Sequence, residues 1–268
     1  MTAEVQAPAI STESAIRYRQ SANWAFTTYR VLSRSYFHLP VLWVWLAVEQ
    51  SISVWGVAVL LALYSGTLTF GAPFAQRLQR RLPPGRSIVL GELTKALGLA
   101  VVLLAGDVVA VVALGQVIGG LGYSLGQGPD SVLLRTFYGD SDDEAAAYGT
   151  QESRSMSWVF AAVLVAGVAG GFLYDAAPAS PFVASVAVTL LAAVAAGQLA
   201  VLAARTGAVT ATAAPAEVAL GAVKHILIGV AEKAASARRR IADRIRWRRL
   251  RRLADRLDHR PRGAQLRL

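Results

Sequence analysis

No cysteine occurs in the 268 residues, which excludes a disulfide framework, a thiolate metal site and a cysteine nucleophile. Charge is scarce too: 16% of residues are Asp, Glu, Lys or Arg, where an ordinary soluble domain carries about 25%. Histidine is limited to His38, His225 and His259, whose separations match no metal-ligand spacing. No Gly-Lys-Ser/Thr loop is present to cradle a phosphate, so ATP-driven transport by this chain is unsupported, and neither an enzymatic activity nor a cofactor is expected. The first 30 residues hold no apolar core ahead of Val31 and do not read as a cleaved signal peptide. Asp140, Asp142, Asp143 and Glu144 lack the turn glycine and closing glutamate of a calcium loop, and read as a solvated acidic loop.

What is abundant is apolar: 54% of residues are hydrophobic and the mean hydropathy is +0.44, which places the chain in the membrane class. Six apolar segments stand out at 31–50, 53–75, 87–104, 108–125, 157–174 and 182–204. Each is about 18 to 23 residues, the length that carries a helix across a hydrocarbon core of about 30 Å. Lipid requires backbone groups to be paired within a segment, so these are helices despite their many valines. The expected fold is an all-α polytopic membrane bundle of six transmembrane helices, lying in the lipid bilayer.

The basic residues orient it. The turns at 49–52, 106–107 and 175–181 contain no Lys or Arg, whereas the leader up to Arg34, the loop at 76–86, the connection at 126–156 and the chain from Arg205 onward hold all of them except Lys95. The positive-inside rule then puts both termini on the cytoplasmic side of the inner membrane. Residues 1–30 form a polar cytoplasmic leader whose Arg17, Arg19, Trp24, Phe26 and Tyr29 suit either an interfacial anchor or a disordered stretch. Residues 206–223 are a small-residue linker. Residues 224–268 carry 15 Lys or Arg against four acids, so the formal net charge of +10 resides in this tail. Apolar residues there recur at spacings of three and four, giving a basic amphipathic helix. Such a helix suits anionic lipid on the inner surface, at about 1 kcal/mol per basic residue. Nucleic acid is disfavoured because no base-reading motif accompanies the charge. A third reading takes the Arg-rich end as a shifted reading frame and the chain as a truncated gene product.

Ionisable groups at membrane depth are functional candidates by default. Glu92 and Lys95, three apart near the cytoplasmic end of the third helix, are expected to pair with each other. Glu49 lies at the outer end of the first helix, where it can reach water or serve proton or cation recognition. Asp130 follows Gln127 and Pro129 at the inner end of the fourth helix, and is expected either to cap a short helix or to pair with Arg135 or Arg154. Tyr123, Trp43, Trp45 and Trp158 read as core or lipid-belt aromatics, and Gly167, Gly170 and Gly171 as close helix contacts.

Three passages resemble the N-terminal six-helix half of a major facilitator superfamily transporter. The family's Gly-x-x-x-Asp-Arg-x-Gly-Arg-Arg loop is matched by Ala72-Pro-Phe-Ala-Gln-Arg-Leu-Gln-Arg-Arg, with Arg77, Arg80 and Arg81 in register. Ala72, Gln76 and Gln79 replace the family's first Gly, Asp and second Gly, so the carboxylate of the family's inward gate is missing. Gly119 to Leu134 is similar to the fourth helix of drug-export members, with Gly128, Asp130 and Leu133 in register, and Tyr148-Gly149-Thr-Gln-Glu152-Ser-Arg154 enters the fifth. The resemblance implies secondary transport of a small molecule, a gate loop containing Gln76, Arg77, Arg80 and Arg81, and a cavity near Tyr123, Gln127 and Asp130. Family members hold substrate between two six-helix halves. Six helices here imply a homodimer or a separately encoded second half; the alternative is a non-transporting scaffold whose tail binds lipid or a partner.

Overall fold

In the computed structural model, residues 12–106 and 108–205 are described, with side chains from residue 16; the linker and basic tail expected at 206–223 and 224–268 lie outside the described residues. The fold is all-helical, without a strand among the described residues. Its helices are α1 (Thr12–Arg34), α2 (Val54–Gln79), α3 (Pro84–Leu104), α4 (Val109–Gly126), α5 (Pro129–Arg135), α6 (Asp142–Ala176) and α7 (Ser180–Arg205). A 3₁₀ turn (Leu39–Val41), one α-turn (Leu42–Val44) and a π-turn (Trp45–Glu49) follow α1. Together these make six spans long and apolar enough to cross a membrane, so the chain reads as a multi-pass membrane protein. Consecutive spans run antiparallel. The starts of α1, α3 and α6 therefore share one end with the finishes of α2, α5 and α7, which we term the basic end.

Local signals set several boundaries. Ser53 Oγ accepts from the Gly56 N–H at 3.2 Å to cap α2. Pro84 and Pro129 start α3 and α5, where a missing N–H goes unneeded. Ser141 Oγ accepts from the Glu144 N–H at 3.4 Å, and Asp142, Asp143 and Glu144 occupy the first turn of α6, favoured there by the helix dipole. The stretch expected as an acidic loop is thus the start of a helix. At 35 residues α6 is about 52 Å long by rise per residue, and it projects past the hydrocarbon core at the basic end.

The first span departs from expectation. Helix begins at Thr12 rather than Val31, and Ala22, Phe26 and Tyr29 are buried in the bundle, so this part of the leader is neither an interfacial anchor nor an irregular stretch. Helix α1 then stops at Arg34, and residues 35–38 cross the bundle as a break. Gly170 makes room for it, since any side chain there would collide with the Phe37 carbonyl. The fourth span breaks as well, at Gln127 and Gly128, where Gly128 takes φ +94°, a conformation that disfavours other residues. Side chains satisfy the freed carbonyls: Gln79 Nε2 donates to the carbonyls of Ser124 (3.2 Å), Leu125 (3.1 Å) and Gln127 (3.2 Å), and Ser87 Oγ donates to that of Leu125 at 3.1 Å.

Helices α3 and α4 meet backbone to backbone. A methyl group at Gly91 would lie 2.8 Å from Gly126 N, and one at Gly122 2.5 Å from Lys95 N, which is the close approach that small residues permit in membranes. Two apolar clusters flank the centre. One, at the basic end, contains Phe26, Ile88, Leu133, Leu134 and Leu199; the other contains Trp45, Leu46, Leu60, Val102 and Phe182. Between them a polar layer crosses the bundle: Ser33 and His38 from the first span, Glu92 and Lys95 from α3, and Ser185 and Thr189 from α7, all buried. Helices α2 and α6 stay peripheral, with 17% of their apolar windows buried against 56% for α3 and α7.

Candidate functional site

Helix α3 is about 31 Å long by rise per residue, matching a hydrocarbon core. Glu92 and Lys95 occupy the ninth and twelfth of its 21 positions, which puts them near the midplane rather than the cytoplasmic end. The two pair as expected, Lys95 Nζ lying 2.7 Å from Glu92 Oε1. Helix α1 completes the cluster. Tyr29 Oη (3.2 Å) and Ser33 Oγ (2.7 Å) donate to the same Oε1, and Lys95 Nζ donates to Ser33 Oγ at 2.9 Å. Glu92 is fully buried, yet its Oε2 has no hydrogen-bond partner among the described residues. Three donors therefore converge on one carboxylate oxygen while the other is left bare.

Lys95 also borders a cavity of about 100 Å³, together with Tyr36, His38, Tyr64, Gln116 and Gly119. That is room for about three waters at liquid density, and less than a drug-sized ligand requires. The Lys95 ammonium stands 5.9 Å from the Tyr36 ring centre and 5.7 Å from that of Tyr123, within cation–π range. The Tyr36 hydroxyl is buried without a hydrogen-bond partner among the described residues. His38, in the break after α1, is tied to α7: its N–H donates to Ser185 Oγ at 3.2 Å, and its Nδ1 lies 2.9 Å from the same oxygen.

A second charged cluster sits toward the basic end. Arg30 Nε donates to Asp130 Oδ2 at 2.8 Å, while Arg30 Nη2 reaches Glu152 Oε1 at 3.0 Å and Ser131 Oγ at 2.8 Å. Arg30 Nη1 donates to Ser155 Oγ at 3.3 Å, and the Phe26 ring lies 4.4 Å below the guanidinium. One planar fork thus binds α1 to α5 and α6 through two carboxylates. Asp130 is 4% exposed. Its partner is Arg30 and not Arg135, which reaches Asp140 at 3.5 Å, nor Arg154, which is exposed; nor does its side chain cap α5, where Gly128 holds the cap position.

The residues expected around one cavity are thereby separated. Tyr123 belongs to the Lys95 cluster and Asp130 to the Arg30 cluster, Gln127 is exposed at the break, and Glu49 is exposed at the opposite end. Gln76, Arg77, Arg80 and Arg81 are exposed at the basic end, whereas Gln79, in the position of the family's second Gly, is the gate-loop residue bound to α4. Sequence reasoning missed Tyr29, Arg30 and Ser33. Their signal was present in the helical recurrence of Ala22, Phe26, Tyr29, Arg30 and Ser33 along one face. No group of three or more His, Asp or Glu able to hold a metal ion occurs among the described residues. No family model, curated protein or solved structure matches the chain.

Proposed function

We propose that the chain is a transporter-like half of the major facilitator type, moving a small molecule across the cytoplasmic membrane as a homodimer or with a second six-helix half. The observation that carries this reading is the Glu92–Lys95 pair near the midplane, flanked by breaks in the first and fourth spans. Discontinuous spans and intramembrane charge accompany binding sites in secondary transporters because irregular backbone and ions survive there only around a protected polar space. A cavity of about 100 Å³ is too small for a substrate on its own, so the facing half supplies the rest. Helices α2 and α6, the least buried, are the surfaces that half covers. Arg30 then serves as the latch on the cytoplasmic side, because opening that end means parting α1 from α5 and α6. The exposed bases at 77, 80 and 81 lie at the same end.

The decisive measurement is the mass of the protein in nanodiscs, with the lipid contribution subtracted. A stable dimer, or a one-to-one complex with another six-helix chain, is expected. A monomer without partners would leave no enclosed path and overturn the transport reading in favour of a scaffold.

A further inference from the structure

A groove of about 680 Å³ runs along the outer face of α1 and α6 at the basic end, remote from the Lys95 cavity. Its lining includes Arg17, Asn23, Trp24, Gln151, Arg154 and Trp158, and contains no acidic side chain among the described residues. Glu152, the nearest carboxylate in sequence, is turned instead toward Arg30. Trp24 and Trp158 are 70% and 53% exposed.

Depth can be read from the contacts between these two parallel helices. Ser33 is level with Glu92, near the midplane. Trp24, nine residues earlier on α1, lies about 13 Å nearer the basic end, at the edge of the hydrocarbon, and Arg17 about 24 Å nearer, among the headgroups. Gln151 Nε2 bonds to the Asn23 carbonyl and Thr27 Oγ1, and Arg30 reaches Ser155, so Arg154 stands beside the last turns of α1, below the headgroup plane. An arginine there must extend toward phosphate or water. It makes no ion pair among the described residues.

We propose that this groove is a site for an anionic phospholipid, with the headgroup phosphate held by Arg154 and Arg17 and the glycerol and upper acyl chains lying between Trp24 and Trp158. Charge complementarity selects an anionic headgroup over a zwitterionic one: guanidinium binds phosphate in a bidentate way, and no carboxylate in the lining is available to receive a choline or ethanolamine cation. The Trp24 indole suits the boundary between headgroup and chain, where one edge is wet and the face is apolar, while Trp158, three residues past Ser155 and so level with Ser33, lies deeper against an acyl chain.

The test is native mass spectrometry of the full chain released from nanodiscs of equimolar phosphatidylglycerol and phosphatidylcholine. Retention of phosphatidylglycerol at least about tenfold over phosphatidylcholine is expected, a ratio equal to about 1.4 kcal/mol. Arg154→Gln combined with Arg17→Gln should reduce that preference severalfold, and Arg154→Lys should keep most of it. Since the basic tail is intact in every variant, loss in the double variant assigns the lipid to the groove. Equal retention of the two lipids by the unaltered chain, or an unchanged preference in the double variant, would overturn the proposal. Displacement by millimolar inorganic phosphate would overturn it as well, in favour of a soluble anion.

Discussion

Removing either member of the Glu92–Lys95 pair leaves the other buried without its counter-charge, which destabilises by about 3–5 kcal/mol, whereas removing both is far milder. Glu92→Gln and Lys95→Met should therefore each lower the unfolding temperature in detergent, and the double variant should recover much of the loss. If the two effects simply added, the charges would not be interacting as the 2.7 Å contact requires. Arg30 depends on shape more than on charge. Its Nε and Nη2 serve two different carboxylates, and a lysine ammonium cannot reproduce that fork. Arg30→Lys should consequently lower the unfolding temperature by several degrees. Arg19→Lys should barely change it, because the Arg19–Glu144 bridge is about one-third exposed and such surface pairs are worth about 0–1 kcal/mol. Equal shifts in the two variants would refute the distinction.

At the level of elements, the seam between α3 and α4 is a close one along several turns, because the glycines at 91, 98, 115 and 122 bring the backbones together. Gly98 has no room for a methyl group, which would strike the Gly119 backbone, while Gly66 on the outer face of α2 has nothing within 4 Å of that position. Gly98→Ala should lower folded yield and unfolding temperature. Gly66→Ala should be neutral or stabilising by up to about 1 kcal/mol, from the entropy a helical glycine loses. A drop at Gly66 as large as that at Gly98 would mean that the facing half proposed to cover α2 packs closely against Gly66. The existence and order of the six helices were legible in the sequence because apolar length is a strong signal. The true start of α1 was not, since its buried face is a narrow stripe of Ala22, Phe26 and Tyr29 within a polar stretch. For α6, an acidic first turn resembled a loop until Ser141 was seen capping it.

At the scale of the whole molecule, the Glu92–Lys95 pair was legible because its members share one helix face, whereas the Arg30–Asp130 pair was not, since its partners stand 100 residues apart and only the fold brings them together. Orientation in the bilayer is a further whole-chain property, and it follows from charge placement. The described bases other than Arg34 and Lys95 lie between Arg30 and the basic end or within it, and the turns at the opposite end have none, so we expect the basic end to face the cytoplasm. The absence of cysteine makes this directly measurable, because a single introduced thiol has no background. Glu49 is exposed at one end and Arg80 at the other, and neither is an ion-pair partner among the described residues. In intact cells, a membrane-impermeant maleimide should label Glu49→Cys and leave Arg80→Cys untouched until the membrane is permeabilised. The reverse pattern would invert the topology and move the Arg30 latch to the outer side; labelling of both in intact cells would mean dual insertion, which removes any fixed inward gate.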